Sequence, residues 1–119
     1  MTEARIKKTY NLSERTARFA VDCRIIVRNI DRTVGNIEDG KQLVRSSGSV
    51  AANYLEADEA ISRKDFTLRI KICRKEARES RLWLQLIFVS DSMETEVRRL
   101  QNEAYELVKI FNSIVEKSS

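Results

Sequence analysis

Apolar residues recur at alternating spacings of three and four along most of the chain, and no proline interrupts them. This spacing places apolar side chains on one side of a helix, so each seam predicts an amphipathic α-helix with one buried face. The pattern occurs four times; the second seam ends at Ile61 and the third runs from Phe66 to Ile87. We therefore predict an all-α chain with helices over residues 13–30, 38–60, 63–90 and 93–116.

Four amphipathic helices with short connections favour an antiparallel up-down four-helix bundle, forming a single domain over residues 1–119. A chain of 119 residues can bury a core without disulfides or metal. Cys23 and Cys73 fall on seam positions without CxxC spacing, so we expect buried thiols in a reducing cytoplasm. No apolar run approaches the ~20 residues that cross a bilayer, and the amino-terminal residues lack a secretory signal, so we expect no membrane association.

Small residues cluster in the second predicted helix, around Gly48. A glycine in the middle of a helix costs roughly 1 kcal/mol relative to alanine. We expect the close approach of another helix to offset this cost. The connection before this helix is predicted over residues 31–36, where Gly35 breaks the seam.

The third predicted helix carries the largest charge excess, with eight cations and three acids in residues 62–90. A rotation of about 100° per residue gathers six of the cations on one side of the helix. We call these residues the basic flank: Lys64, Lys71, Arg74, Lys75, Arg78 and Arg81. Such a row can follow a phosphodiester backbone, and arginine adds a planar donor fork for phosphate. The alternative interpretation is a solvated face whose cations pair with Glu76, Glu79 or the acidic helices on either side.

The same helix carries a second set of apolar residues, nearly opposite its seam, which we call the outer strip: Leu68, Ile72, Trp83 and Leu86. A helix in a small monomer needs only one apolar face. We therefore predict that the outer strip forms an interface between copies of the chain. The alternative is that the amino-terminal arm, with Ile6, Tyr10 and Leu12, covers the outer strip within one chain.

The usual catalytic constellations are absent, because the chain contains no histidine, no GxxxxGK[ST] and no GxGxxG. An enzymatic hypothesis depends on Asn53, Glu56 and Glu59, near the end of the second helix. Those carboxylates are better interpreted as a solvated or ion-paired helix end. We therefore expect no enzyme activity, no cofactor and no metal site.

Two segments resemble a known family: NIEDGKQLVRSSGSVAANYLEADEA (residues 36–60) and KDFTLRIKICRKEARESRLWLQL (residues 64–86). They are similar to the bacterial family called "four helix bundle protein", whose members resemble proteins encoded by intervening sequences of large-subunit ribosomal RNA genes. The resemblance implies an antiparallel four-helix bundle that assembles as a ring, commonly a homopentamer. A more remote kinship is with accessory proteins of diversity-generating retroelements, which engage nucleic acid and a reverse transcriptase. The resemblance implies no catalytic residues.

Two functional hypotheses follow. The first is a non-enzymatic ring of bundles whose combined basic flanks bind structured RNA or another nucleic acid through its phosphates. The second is a protein-binding scaffold, or an accessory subunit for a partner enzyme such as a reverse transcriptase, in which the cations meet an acidic protein surface.

Overall fold

Four long α-helices make up the fold of the computed structural model, which describes residues 11–118. They are α1 (Leu12–Asn29), α2 (Val34–Asp58), α3 (Arg63–Leu86) and α4 (Glu94–Ser118). One short 3₁₀ turn, Asp91–Met93, leads into α4. No β-strand occurs among the described residues, so the predicted all-α class is confirmed.

Each helix packs antiparallel to the next along the chain, and α1 closes the bundle against α4 through a much smaller contact. Small polar side chains lie between α2 and α3, where the hydroxyl oxygens of Ser46 and Ser80 are 2.8 Å apart and fully buried. Two ion pairs link α1 to α4. The guanidinium of Arg15 donates to both carboxylate oxygens of Glu103, and Arg99 donates to Asp22 at 2.8 Å. The antiparallel four-helix bundle is therefore confirmed.

The buried core follows the predicted seams, with Phe19, Ile70, Leu100, Leu107 and Phe111 among its largest residues. Ile61 is an exception, because it is 95% exposed. The reason is that α2 ends at Asp58, so Ile61 lies in the connection and no longer shares the helical face. Within the described part of the chain, no helix is long and apolar enough to cross a bilayer.

Two helix ends differ by four residues from the sequence-based boundaries, and the others agree within two. The helix α2 begins at Val34, four residues earlier than predicted, because the hydroxyl of Thr33 caps it by accepting from the N–H of Asn36 at 3.1 Å. The helix α3 ends at Leu86 instead of residue 90, because the backbone is already extended at Ile87. Gly35 therefore belongs to the first turn of α2, not to the connection.

Asn36 joins the two connections at one end of the bundle. Its side-chain nitrogen donates to the carbonyl oxygens of Asp31 and Phe88, both at 2.9 Å, and its side-chain oxygen accepts from the N–H of Phe88 at 2.8 Å. The side chain is almost fully buried. Asn36 thus holds the α3–α4 connection, 52 residues away in sequence, against the start of α2.

Both cysteines are free and fully buried, as expected from their seam positions. Burial raises the pKa of the Cys23 and Cys73 thiols to about 12. The Cys73 thiol also donates to the carbonyl oxygen of Val50 on α2. Since a thiol with such a pKa is almost entirely protonated near neutral pH, both behave as small apolar core residues.

Gly48 offers a test of the small-residue region, because an added Cβ would lie 2.9 Å from Nη2 of Arg24. The expected close approach therefore comes from the tip of a flexible side chain on α1. We expect Gly48→Ala to raise the free energy of unfolding by up to about 1 kcal/mol, measured by urea denaturation, because alanine is the better helix former.

Gly40→Ala is the matched comparison. Its Cβ would meet Cγ1 of Val27 at 3.2 Å, a short branched side chain packed against the core, so the gain should be smaller or absent. A clear loss of stability in Gly48→Ala would mean that Arg24 cannot move aside.

Candidate nucleic-acid interface

The hydroxyl of Ser62 caps the start of α3 by accepting from the N–H of Asp65 at 3.0 Å. The seam from Ile70 to Leu84 is buried, and this burial fixes the rotation of α3 about its own axis. As a consequence, one side of the basic flank faces solvent and the other lies against α4.

The basic flank lies together on the surface. Lys64, Lys71, Lys75 and Arg78 are exposed, while Arg74 and Arg81 are half-buried against α4. Within residues 11–118, no carboxylate oxygen comes within 4 Å of a cationic nitrogen of the basic flank. Four of its residues line a shallow surface depression together with Glu79, namely Lys71, Arg74, Lys75 and Arg78. Its positive charge is therefore not neutralised by close ion pairs with the described residues.

Two of the carboxylates that the alternative interpretation assigned to these cations, those of Glu76 and Glu79, contact Arg45 on α2. Glu76 is buried, and its carboxylate accepts from the guanidinium of Arg45 on α2 at 3.0 Å. The same guanidinium lies 3.6 Å from the carboxylate of Glu79. Arg45 on α2 thus engages both acids, and Glu79 also borders the depression lined by the basic flank, where the charge of Lys75 acts on it.

Helix α4 contributes residues that sequence reasoning missed. Arg74 donates to the side-chain oxygen of Asn112 at 2.8 Å. The guanidinium carbon of Arg81 lies 4.9 Å from the ring centroid of Tyr105, and the ammonium of Lys109 lies at the same distance. Asn112 and Tyr105 are seven residues apart and off the α4 seam, a periodic signal that could have indicated a second functional face. We call the surface formed by the basic flank together with Tyr105, Lys109 and Asn112 of α4 the α3/α4 face.

The pKa of Glu79 departs from the ordinary glutamate value because Glu79 lies next to Glu76. Its pKa is raised, mainly by a side-chain hydrogen bond with Glu76, and burial and the charge of Glu76 act in the same direction. The folded state therefore holds this proton more tightly than the unfolded state does. The resulting stabilisation is fully present below the ordinary glutamate pKa of 4.5 and is lost as the pH rises through the raised value.

We expect Glu79→Gln to be more stable than the parent chain at pH 7 and equal to it near pH 4, as measured by urea unfolding. Glutamine can keep the hydrogen bond to Glu76 and has no proton to lose. The gain should not exceed about 1 kcal/mol, because the Glu79 side chain is 34% exposed and solvent screens its charge.

Glu96→Gln is the control with the opposite sign. The hydrogen bond from Arg99 lowers the pKa of Glu96, so this carboxylate stabilises the fold above its ordinary pKa and loses that effect as the pH falls. Glu96→Gln should therefore be less stable than the parent at pH 7. A shift in the same direction for both variants would contradict the assigned causes.

The outer strip does not form one continuous surface. Leu68 and Leu86 are 54% and 53% exposed, but Ile72 is half-buried. Trp83 packs against the core of its own chain, and its buried ring N–H has no partner among residues 11–118. Trp83 lies fifteen residues after Leu68. At about 100° per residue, this spacing rotates the Trp83 side chain by about 60° from the outward direction of Leu68. Leu12 lies in the core, whereas Ile6 and Tyr10 lie outside the described residues. Self-association through the outer strip stays a prediction.

The residues of the enzymatic hypothesis do not converge. The Asn53 side chain donates to the backbone and hydroxyl oxygens of Ser49 and accepts from Arg69 at 3.2 Å. Glu56 and Glu59 are exposed. Among residues 11–118, no group of three or more cysteine or acidic side chains has a metal-binding arrangement.

Together, the fold and its cation-rich face define a small four-helix bundle protein with one strongly basic helix. The chain belongs to the family of 23S rRNA-intervening sequence proteins, whose model matches residues 8–113. The resemblance predicted from the two sequence segments is therefore confirmed.

A solved structure from Bacteroides thetaiotaomicron is similar, and it is described as a protein of unknown function from the S23 ribosomal protein family. The TM-score is 0.76 at 27% sequence identity, over 92% of this chain and 98% of that chain. A comparison with curated proteins found no match.

Proposed function

We propose that this protein is a non-enzymatic, self-associating cytoplasmic bundle that binds structured RNA or another nucleic acid through the α3/α4 face, without a cofactor. One observation carries the proposal: six cations share one side of α3, and none has a carboxylate partner within 4 Å among the described residues. Unneutralised cations in a row attract a polyanion, since each phosphate contact releases condensed counterions.

The geometry of the cations suits phosphate. Lys71, Arg74, Arg78 and Arg81 follow one another at three, four and three residues, which spans ~15 Å along the helix axis. Arg74 is held in place by Asn112, so its guanidinium loses less side-chain entropy on binding than a free side chain would. The comparisons name no ligand for this chain, and the proposal therefore depends on the charges.

Self-association would strengthen such binding. Leu68 and Leu86 are large apolar side chains more than half exposed on the outward side of α3, where burial between copies is favourable. If copies assemble as a ring, as the resemblance implies for a homopentamer, several basic flanks act on one polyanion. Linked sites bind more strongly than separate ones without any new contact.

We expect light scattering to give a mass several times that of the 13.8 kDa chain, and the same preparation to bind structured RNA. The logarithm of the affinity should fall linearly with the logarithm of the salt concentration, with a slope of roughly −3 to −5 for four to six phosphate contacts, and with little sequence preference. Undetectable RNA binding at low salt would refute the nucleic-acid proposal. A single-chain mass would refute only the self-association.

The second candidate is a protein-binding scaffold or an accessory subunit of an enzyme such as a reverse transcriptase. It is favoured by two exposed apolar side chains near the Asn36 end of the bundle, Val34 and Phe88, at 82% and 72%. Capture of one stoichiometric protein partner that survives nuclease treatment, by a chain that fails to bind RNA, would support this candidate over the first.

A further inference from the structure

We infer that Tyr105 stacks on an unpaired base, so that the preferred ligand of the α3/α4 face is a single-stranded nucleic acid segment and not a continuous duplex. This inference rests on the proposed function and deepens it. It starts from an aromatic side chain that contributes little to the core: Tyr105 is 46% exposed, whereas Tyr54 and Phe111 are buried against each other.

The Tyr105 ring is held in place by neighbouring cations. The guanidinium of Arg81 lies 4.9 Å from the ring centroid, within the range of a cation–π contact. Arg81 is half-buried, and its buried Nε has no hydrogen-bond partner within the described part of the chain. The contact with this half-buried guanidinium limits the motion of the ring before a ligand arrives. A preordered aromatic costs less entropy on binding than a mobile one.

The second cation on the ring is easily replaced. Lys109 lies one turn after Tyr105, its ammonium is 4.9 Å from the ring centroid, and its side chain is 53% exposed. Its ion pair with Glu106, at 3.0 Å, is also exposed and contributes little to stability. A base that stacks on the ring can displace the ammonium, which is then free to meet a neighbouring phosphate.

Phosphate-binding groups lie next to this platform. Arg78 lies one turn before Arg81 and is exposed, without an ion pair to any residue of 11–118. Arg74 lies a further turn toward the amino terminus, on the same side of α3. Single-stranded nucleic acids are bound by this combination of a cationic track and an aromatic platform, because every base has a stacking face. A base inside a duplex has its faces covered by its neighbours, so a duplex can use the cations but not Tyr105.

The test compares two probes on the full chain at one salt concentration: a 12-nucleotide oligouridine strand and a 12-base-pair RNA duplex, both followed by fluorescence anisotropy. We expect Tyr105→Ala to weaken binding of the single strand by roughly 5- to 100-fold, the range for losing one stacked base. Binding of the duplex should change by less than about twofold, because phosphate contacts are unaffected. Tyr105→Phe should behave as the parent chain, since it keeps the ring.

Photocrosslinking adds a readout that a merely structural role would not produce. Strands carrying 5-iodouridine should crosslink to Tyr105, as mapped by mass spectrometry. The inference is overturned if Tyr105→Ala binds the single strand like the parent chain, or if it weakens both probes equally. If Lys71→Gln/Lys75→Gln/Arg78→Gln loses both probes in that case, the proposed function stands without a stacking role. Failure of the parent chain to bind either probe would refute both the stacking inference and the proposed function.

Discussion

Asn36→Ala is expected to lower the free energy of unfolding by about 3 kcal/mol, the largest stability effect we anticipate from a single polar residue. The substitution removes three side-chain hydrogen bonds, two to Phe88 and one to Asp31. Each buried polar group left without a partner costs about 1–3 kcal/mol, reduced where water can enter. A loss of this size is a large fraction of the 5–15 kcal/mol that stabilises a typical domain.

Asn29→Ala is the matched control for this prediction. The Asn29 side chain is exposed, and among the described residues it donates only to the carbonyl oxygen of Ile25 in its own helix, so its loss should cost less than about 0.5 kcal/mol. Urea unfolding compares the two variants, and hydrogen exchange at the Phe88 amide, faster in Asn36→Ala, reports on the local contact. Equal stability of the two variants would show that the hydrogen bonds of Asn36 to Asp31 and Phe88 contribute nothing to the stability of the fold.

The combined variant Lys71→Gln/Lys75→Gln/Arg78→Gln is expected to weaken RNA binding by roughly 100-fold or more at 0.1 M salt. Its salt slope should fall by about two to three, one for each phosphate contact removed. These three side chains are exposed and make no hydrogen bond or ion pair with described residues, so folding should be unaffected. Arg74 and Arg81 are poorer targets, because each also contacts α4.

The control for net charge is Arg28→Gln/Arg32→Gln/Arg98→Gln. This variant also removes three positive charges, but from exposed positions outside α3. We expect its affinity for RNA to stay within about threefold of that of the parent chain. Salt-titrated anisotropy measures both variants, and light scattering verifies that their masses are unchanged. If both variants lose affinity equally, the chain attracts RNA through its overall charge and the α3/α4 face has no special role.

Glycine and serine positions show where sequence reasoning reached its limit. The small residues around Gly48 correctly indicated close packing of α2, with Ser46 buried against Ser80 of α3. The atoms nearest to Gly48 itself belong to the guanidinium of Arg24, which no local pattern could have indicated. Which side chain fills a gap depends on the tilt and rotation of two helices, and periodicity within one helix does not contain that information.

Sequence alone determined the number of helices, the face that each one buries and the grouping of six cations on one side of α3. It could do so because these properties depend on spacing along a single helix, whose geometry is nearly constant. Only the tertiary structure decided that Asn36 binds Phe88, that Arg45 engages Glu76 and Glu79, and that Tyr105 lies beside Arg81. Each of these contacts joins parts of the chain that are distant in sequence, and their distances are set by how the helices pack against one another.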